Sequence, residues 1–403
     1  MINRNVLRCV SCDALTLTRT QIGHKALQQH KFPCGTCGIE ISFDLELDQK
    51  RAGLKYRDPK NAVWVDEDSV HYDHMVYLSD EILVPQGIPE FMSPFIAGFS
   101  RYKNFELYRT DEGERQLAVN GLFDYLERCA THFQKGNKKL FDKESQLKGK
   151  VTQKLRVSCY YSACSARFFH FTNNTDIELT RVNDRIDRAF TRESALMSRM
   201  ISELLASGKM LALWTELRSV RRAFVENYAS LQPLYQLKYW KEEYRDLASV
   251  TLADKRFQTL QQLYIITFET LCRFLVLALG MEVAIATGTL EVPAKKRQLP
   301  LQEISSMANA TKRDQFSRYR LLADMFVPHL DTDFRNGIGH HSAHYSAETD
   351  EIEIGDSKGS GAVISTISYT AFCAKVIDLF SAFELGAMYF QTLHTASGGK
   401  FVP

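Results

Sequence analysis

Two spacings of apolar residues divide this chain. Toward the amino terminus apolar and polar positions alternate, most plainly in Glu40-Ile41-Ser42-Phe43-Asp44-Leu45-Glu46-Leu47. Successive strand side chains point to opposite faces, so this spacing predicts a strand with one buried face. Short apolar pieces, Ala62 to Val65 and Met75 to Leu78, lie among Pro59, Pro85, Gly87, Pro89 and Pro94. They predict short strands and loops over residues 51 to 108. Helical spacing starts near Glu112, with Leu117, Leu122, Tyr125, Leu126 and Cys129 as a stripe, and dominates from Thr180 to Leu330. Arg192 to Ala206, Met210 to Tyr228, Leu234 to Ala248 and Lys255 to Gly280 each read as a helix, and Gly280 suits a carboxy-terminal cap. Leu301 to Met307 and Arg313 to Phe326 follow as shorter helices, the second stopped by Pro328. Alternation returns at Thr349 to Ile354 and Val363 to Ile367 around a Gly355 to Gly361 turn, a hairpin signal, and Tyr369 to His394 is a long apolar helix. The fold class that follows is mainly α: a carboxy-terminal helical domain with an inserted β-hairpin, behind a small mixed α/β region.

Composition narrows the picture. A chain of 403 residues suggests two or three domains, and 45% apolar residues are ample for packed cores. A net charge of +2 and a pI near 8.0 exclude a bulk polybasic nucleic-acid binder, so any such contact must come from a local patch. One candidate is Lys135, Lys138, Lys139, Lys143, Lys148, Lys150, Lys154 and Arg156, followed by Tyr160, Tyr161, Phe168, Phe169, His170 and Phe171. Cations beside aromatics suit single-stranded nucleic acid. A solvated linker running into a core segment is the plainer reading, and is preferred. Leu271 to Ala286 is apolar but short for a membrane span and interrupted by Arg273 and Glu282, so it reads as a buried helix. The first residues lack the apolar core of a signal peptide, and a cytoplasmic location without membrane contact is expected.

Of nine cysteines, five (Cys129, Cys159, Cys164, Cys272 and Cys373) are scattered, as free thiols in a reducing compartment would be. The other four form two knuckles, Cys9-Val-Ser-Cys12 and Cys34-Gly-Thr-Cys37, separated by 21 residues. That spacing predicts a four-thiolate zinc site in a zinc ribbon over residues 1 to about 50. Four thiolates leave no open coordination position, so the zinc is expected to be structural, folding a segment too small for a secure core of its own. His24 and His30, between the knuckles, are expected bystanders.

The chemistry concentrates in Asp331 to Tyr345, DTDFRNGIGHHSAHY, with the order Arg335-Asn336-x-x-x-His340 and with His341 and His344 just behind. Arginine is permanently charged and its fork matches phosphate oxygens. Histidine moves protons near neutral pH. Asparagine orients either partner. RNA carries its own nucleophile, the ribose 2′-OH, so such a set suffices for phosphodiester cleavage without a metal. Five residues of helix are about 1.4 turns, so Arg335 and His340 diverge unless the helix starts late. One copy is a ragged half-site that a second copy could complete. Gly337 and Gly339 suit a close backbone approach there. Glu269 and Arg273, four apart in the longest apolar helix, read first as a plain stabilising pair and second as groups lying under the arginine.

FRNGIGHH resembles the R-N-x-x-x-H signature of the HEPN ribonuclease superfamily, and the order long helix, helix, motif, hairpin, closing helix over about residues 250 to 395 is similar to HEPN families with a small hairpin after the motif. The resemblance implies a helical domain that dimerises and cleaves RNA without a metal, with Arg335 and His340 catalytic and Asn336 supporting. His341, His344, Tyr345 and Glu269 are secondary candidates. The expected organisation is a zinc ribbon at 1–50, a mixed sensor or linker region at 51–175 and a helical region at 176–403 holding the nuclease. Such proteins often serve as toxins or phage-defence effectors, here with RNA as target, a homo-oligomer of at least two chains and an unknown trigger read by the amino-terminal half. Two other readings compete: a non-catalytic zinc-ribbon module that binds nucleic acid or a partner on an inactive HEPN scaffold, and, more weakly, a metal-dependent phosphohydrolase built on Asp331, Asp333, His340, His341 and His344.

Overall fold

The computed structural model describes residues 2–48, 53–66, 71–83, 121–149, 151–237, 251–294, 297–339, 343–355 and 363–402. The chain is mainly α with a β-rich amino-terminal part. Seven strands come first: β1 (Ile2–Cys9), β2 (Leu15–Gln21), β3 (Leu27–Pro33), β4 (Glu40–Asp48), β5 (Gly53–Tyr56), β6 (Ala62–Val65) and β7 (His74–Leu78). They form two sheets, ordered β6-β1-β2-β7 and β3-β4-β5. All described neighbours run antiparallel except β2 and β7, which are parallel. The alternation read in β4 buries Ile41, Phe43 and Leu45. Ile41 and Phe43 meet Leu7, Phe32, Ala62 and Leu78 in a small core closed by Trp64 and Tyr56.

The helical body comprises α1 (Phe123–Gln134), α2 (Lys138–Glu144), α3 (Gln153–Phe168), α4 (Asp176–Arg192), α5 (Ser194–Ala206), α6 (Lys209–Leu237), α7 (Phe257–Thr287), α8 (Leu301–Ser306), α9 (Asn309–Phe316), α10 (Arg320–Met325), α11 (Thr332–Gly339) and α12 (Tyr369–Ala396). A short pair, β8 (Glu291–Pro293) and β9 (Gln298–Pro300), follows α7. β10 (Ala343–Ser346), β11 (Glu351–Gly355) and β12 (Val363–Ser368) form one antiparallel sheet between α11 and α12. The expected hairpin is therefore three-stranded, with His344 and Tyr345 on its first strand. The expected helix onset at Glu112 with Leu117, most of Leu234 to Ala248, and the turn after Gly355 fall outside the described residues.

α7 and α12 form the axis of the body, buried along most of their length by α4, α6 and α3. α7 is long and apolar enough to cross a membrane, but 78% of that window is buried inside the fold, which makes it a core helix. It runs past Gly280, the expected cap, and ends at Gly288, whose φ of +67° terminates it in the left-handed region. Gly280 serves packing instead: a Cβ there would lie 2.6 Å from Leu301 Cδ1 and 2.7 Å from Met200 Cε. Thr175 and Glu178 close a capping box on α4, and Ser368 caps α12.

The basic stretch and its aromatics resolve as structure. Arg156 pairs with Asp142, and Tyr160, Tyr161, Phe168 and Phe171 are buried against α6 and α12. This is the core segment the plainer reading anticipated, and Phe169 alone among these aromatics stays exposed.

His394 lies at the centre of that aromatic core. It touches Trp214, Phe133 and Phe401, and its Nδ1 is 2.7 Å from the Tyr161 hydroxyl. Burial pushes its pKa down to about 4 from 6.5, against an opposing pull from the Gly399 backbone. A histidine lowered in the folded state is neutral there while the unfolded chain takes up a proton. Its contribution is whole above pH 6.5 and is lost as pH falls from 6.5 toward 4, at up to about 1.4 kcal/mol per unit. The urea midpoint of the helical body is expected to fall between pH 7.5 and pH 5, and His394→Asn should flatten that fall; equal slopes in both proteins would remove His394 from the account.

Candidate active site and metal centre

The four knuckle cysteines converge. Their Sγ atoms all lie within 4.8 Å of one another, with Cys9 to Cys37 at 3.7 Å and Cys12 to Cys34 at 3.6 Å. Tetrahedral zinc with Zn–S bonds near 2.3 Å needs sulfurs about 3.8 Å apart, so the cage has the right size. Tight turns aim the thiols: Cys9 N donates to Ala14 O with Asp13 at φ +58°, and Cys34 N donates to Ile39 O with Gly38 at φ +75°. At Cys34 burial raises the thiol, but the Cys37 and Thr36 backbone amides win and bring it to about 7. At Cys12 a backbone contact from Ala14 lowers the thiol, yet burial and the three neighbouring sulfurs push it up to about 12. Four thiols this close cannot all ionise without a cation among them. The cluster is consistent with a structural zinc site. His24 and His30 stay apart from it, His24 against Glu81 at 2.7 Å and His30 against the Phe43 ring.

The second site is built on α11. Asp331 starts the helix, its Oδ1 accepting from Phe334 N at 3.0 Å, while Phe334 and Ile338 anchor the inner face. Arg335 then projects toward α7 and α9. Its Nη2 lies 2.5 Å from Glu269 Oε1, and its Nη1 donates to Asn336 Oδ1 at 3.2 Å. Asn309 Nδ2 donates to the same Glu269 oxygen at 3.0 Å, and Lys312 Nζ lies 3.4 Å from Asn309 Oδ1. Gly339 passes beside the guanidinium, a Cβ on it lying 3.6 Å from Arg335 Cζ. Arg335 Nε is buried and has no acceptor among the described residues. Glu269 and Arg273 are thus not partners, contrary to the preferred reading: Arg273 pairs with Glu216 at 2.6 Å, and Glu269 holds Arg335. Asn309 and Lys312 were missed. Neither belongs to the motif, and their place beside Glu269, the partner of Arg335, is a product of tertiary packing.

His340 and His341 lie outside the described residues. The chain resumes at β10, where His344 is exposed and Tyr345 donates to Asp350 Oδ1 at 2.9 Å. Lys255 pairs with the same Asp350 and lies over the Tyr369 ring at 4.6 Å. Burial lowers the Lys255 pKa, with Asp350 working the other way. Between β10 and the start of α7 opens a groove of about 550 Å³, lined by Lys255, Arg256, Gln258, Gln261, His344 and Tyr345 among others. Gln261 Nε2 donates to Ile338 O at 2.7 Å, so this groove adjoins the carboxy-terminal end of α11. Among the described residues only the four-cysteine cluster groups ligands closely enough for a metal. Asp331, one of the carboxylates weighed for a metal-dependent phosphohydrolase, is a helix cap that also lies 3.7 Å from Lys375.

Comparison with models of known protein families, with curated proteins and with solved structures finds no match to this chain.

Proposed function

We propose that this chain is a metal-independent endoribonuclease of the HEPN type, acting in the cytoplasm as a dimer or larger even assembly. The observation that carries the reading is Arg335. It stands on the motif helix, gripped by Glu269 and Asn336, with a buried Nε that has no acceptor among the described residues, one turn before Ile338, whose carbonyl meets Gln261 of a cation-lined groove. In the mechanism, Arg335 holds the scissile phosphate and stabilises the charge that develops on its oxygens. His340 takes the 2′-OH proton or protonates the leaving 5′-oxygen, and its counterpart from the second chain takes the other role. Asn336 keeps the guanidinium oriented. Cleavage leaves a 2′,3′-cyclic phosphate and a 5′-hydroxyl. Cys9, Cys12, Cys34 and Cys37 would hold a structural zinc, and the amino-terminal half would read the trigger that releases a toxin or phage-defence activity. Chelation by EDTA under conditions that leave the cysteine cluster folded should leave the rate of cleaving a fluorescent RNA unchanged. Abolished turnover with that cluster intact would overturn the mechanism.

One observation favours the non-catalytic alternative: Glu269 already neutralises Arg335, so a phosphate must compete for it. A binding module on an inactive scaffold would keep this ion pair permanently. RNA cleavage by the wild type that is lost in Arg335→Ala and in His340→Ala, with assembly unchanged, separates the two.

The zinc assignment has its own test. Structural zinc carries folding free energy of order 10 kcal/mol. Cys9→Ser protein is therefore expected to lose zinc by atomic absorption and to lose the near-UV signal of Trp64, while the helical body keeps its far-UV signal. Full zinc retention with an unchanged Trp64 environment would reject it.

A further inference from the structure

We propose that the cleft between the amino-terminal strands and the start of α7 carries the RNA strand beyond the scissile linkage, a second nucleic-acid subsite joined to the first through Arg256. The proposal rests on the ribonuclease reading for its ligand, and on separate geometry for its place.

The cleft is the larger of the two openings, about 1150 Å³. Its walls are β3 and β7, each the outer strand of its sheet among the described residues, and its far side is formed by Ala253, Asp254 and Arg256. The junction is braced. Ile82 and Leu252 form an antiparallel bridge, Leu83 N donates to Thr251 O at 2.8 Å, and Ala253 N donates to Glu81 O at 2.9 Å. The amino-terminal strands are therefore tied by backbone to the segment that leads directly into α7 and the active-site groove.

Arg256 lines both openings, so they share a wall residue. The cleft also gathers Leu27, Met75 and Leu83, three of the large apolar side chains this fold leaves exposed, and Tyr77, whose ring is held by Arg19 at 5.0 Å. Apolar and aromatic surface beside cations is what a single strand needs for base contact and phosphate contact together.

Charge selects a polyanion over a neutral peptide of similar shape, and the apolar and aromatic surface beside the cations favours bases over the carboxylates of an acidic peptide. The cations are the accessible groups: the Lys31, Arg256 and Lys25 side chains are 64%, 47% and 32% exposed. The carboxylates that line the cleft are withdrawn, Asp254 at 21% and Asp80 at 4%, while the exposed Glu40, outside the lining, lies 3.4 Å from Lys31. Asp254 bridges Lys25 at 3.9 Å and Arg256 at 3.4 Å, setting both cations along the path between the openings. Among the described residues the active-site groove has no carboxylate in its lining. A phosphodiester chain leaving that groove meets Arg256, then Lys25 and Lys31.

The test uses full-length protein and 2′-O-methyl RNA, which cannot be cleaved through a 2′-OH, in oligomers of about three and about twelve nucleotides read by fluorescence anisotropy. Lys31→Glu and Leu83→Asp change exposed side chains, and circular dichroism checks their folding. Each is expected to weaken the longer oligomer about tenfold and leave the shorter one unchanged. Equal affinity of wild type and both variants for the longer oligomer overturns the proposal, as does a polyglutamate peptide displacing that oligomer from the wild type at lower concentration than RNA does. The outcome is separable from the nuclease reading. Length-dependent binding lost in Lys31→Glu, in a wild type that cleaves no natural RNA, supports the cleft and sinks the nuclease. Cleavage with no dependence on RNA length or on Lys31 supports the nuclease and sinks the cleft.

Discussion

Arg335→Ala protein is expected to cleave single-stranded RNA about 10²–10³-fold more slowly than the wild type, the loss typical of removing one preorganised donor from a developing oxyanion. The effect should fall on kcat, because the guanidinium is asked to bind the transition state better than the ground state. Arg335→Lys should recover little, since an ammonium cannot grip Glu269 and present a planar fork to phosphate at once. Mixing wild-type and His340→Ala subunits tests the other half of the mechanism, in which both histidines of a dimer serve one site. If each site takes residues from two chains, activity falls faster than the fraction of variant added. A linear fall assigns the site to single chains, and an Arg335→Ala protein as active as the wild type removes the arginine from the mechanism.

The second large effect concerns stability. Arg221 on α6 and Glu384 on α12 form a bidentate pair at 2.9 and 2.6 Å, with side chains only 3% and 9% exposed. Burial lowers the arginine's pKa, but the facing carboxylate more than restores it, so the charge stays. The guanidinium also lies over the Phe168 ring at 4.7 Å. Glu384→Ala strands this cation in a buried core and should cost about 3–5 kcal/mol, as breaking a buried pair does. Replacing both partners, Arg221→Met with Glu384→Leu, should recover most of that loss, because it is the orphaned charge that is costly. Chemical denaturation of the three proteins checks this, and a Glu384→Ala protein within about 1 kcal/mol of wild type would mean that water reaches the pair.

What could be read beforehand was what short-range pattern encodes. Cys9, Cys12, Cys34 and Cys37 announced their cluster because knuckle spacing is a local property, and the alternation of Glu40 to Leu47 became β4 with its expected buried face. Tyr369 to His394 matched α12 within a turn. Tertiary packing overrode the rest. Gly280 carried a helix-ending signal but sits mid-helix, because Leu301 and Met200 press against its missing side chain. Glu269 and Arg273 had the spacing of a helical pair, yet α6 offered Glu216 to one and α11 offered Arg335 to the other. Asn309, Lys312 and the cleft at Arg256 depend on elements far apart in the chain, and no local pattern marks them.

The central claim is that a guanidinium and an imidazole turn the RNA's own 2′-hydroxyl on the neighbouring phosphorus. It is tested most directly by identifying the ends left when the wild type cuts an end-labelled RNA in the presence of EDTA. The account predicts a 2′,3′-cyclic phosphate on one fragment and a 5′-hydroxyl on the other, both missing with His340→Ala. A 3′-hydroxyl and a 5′-phosphate, the ends left by metal-activated water, would contradict it.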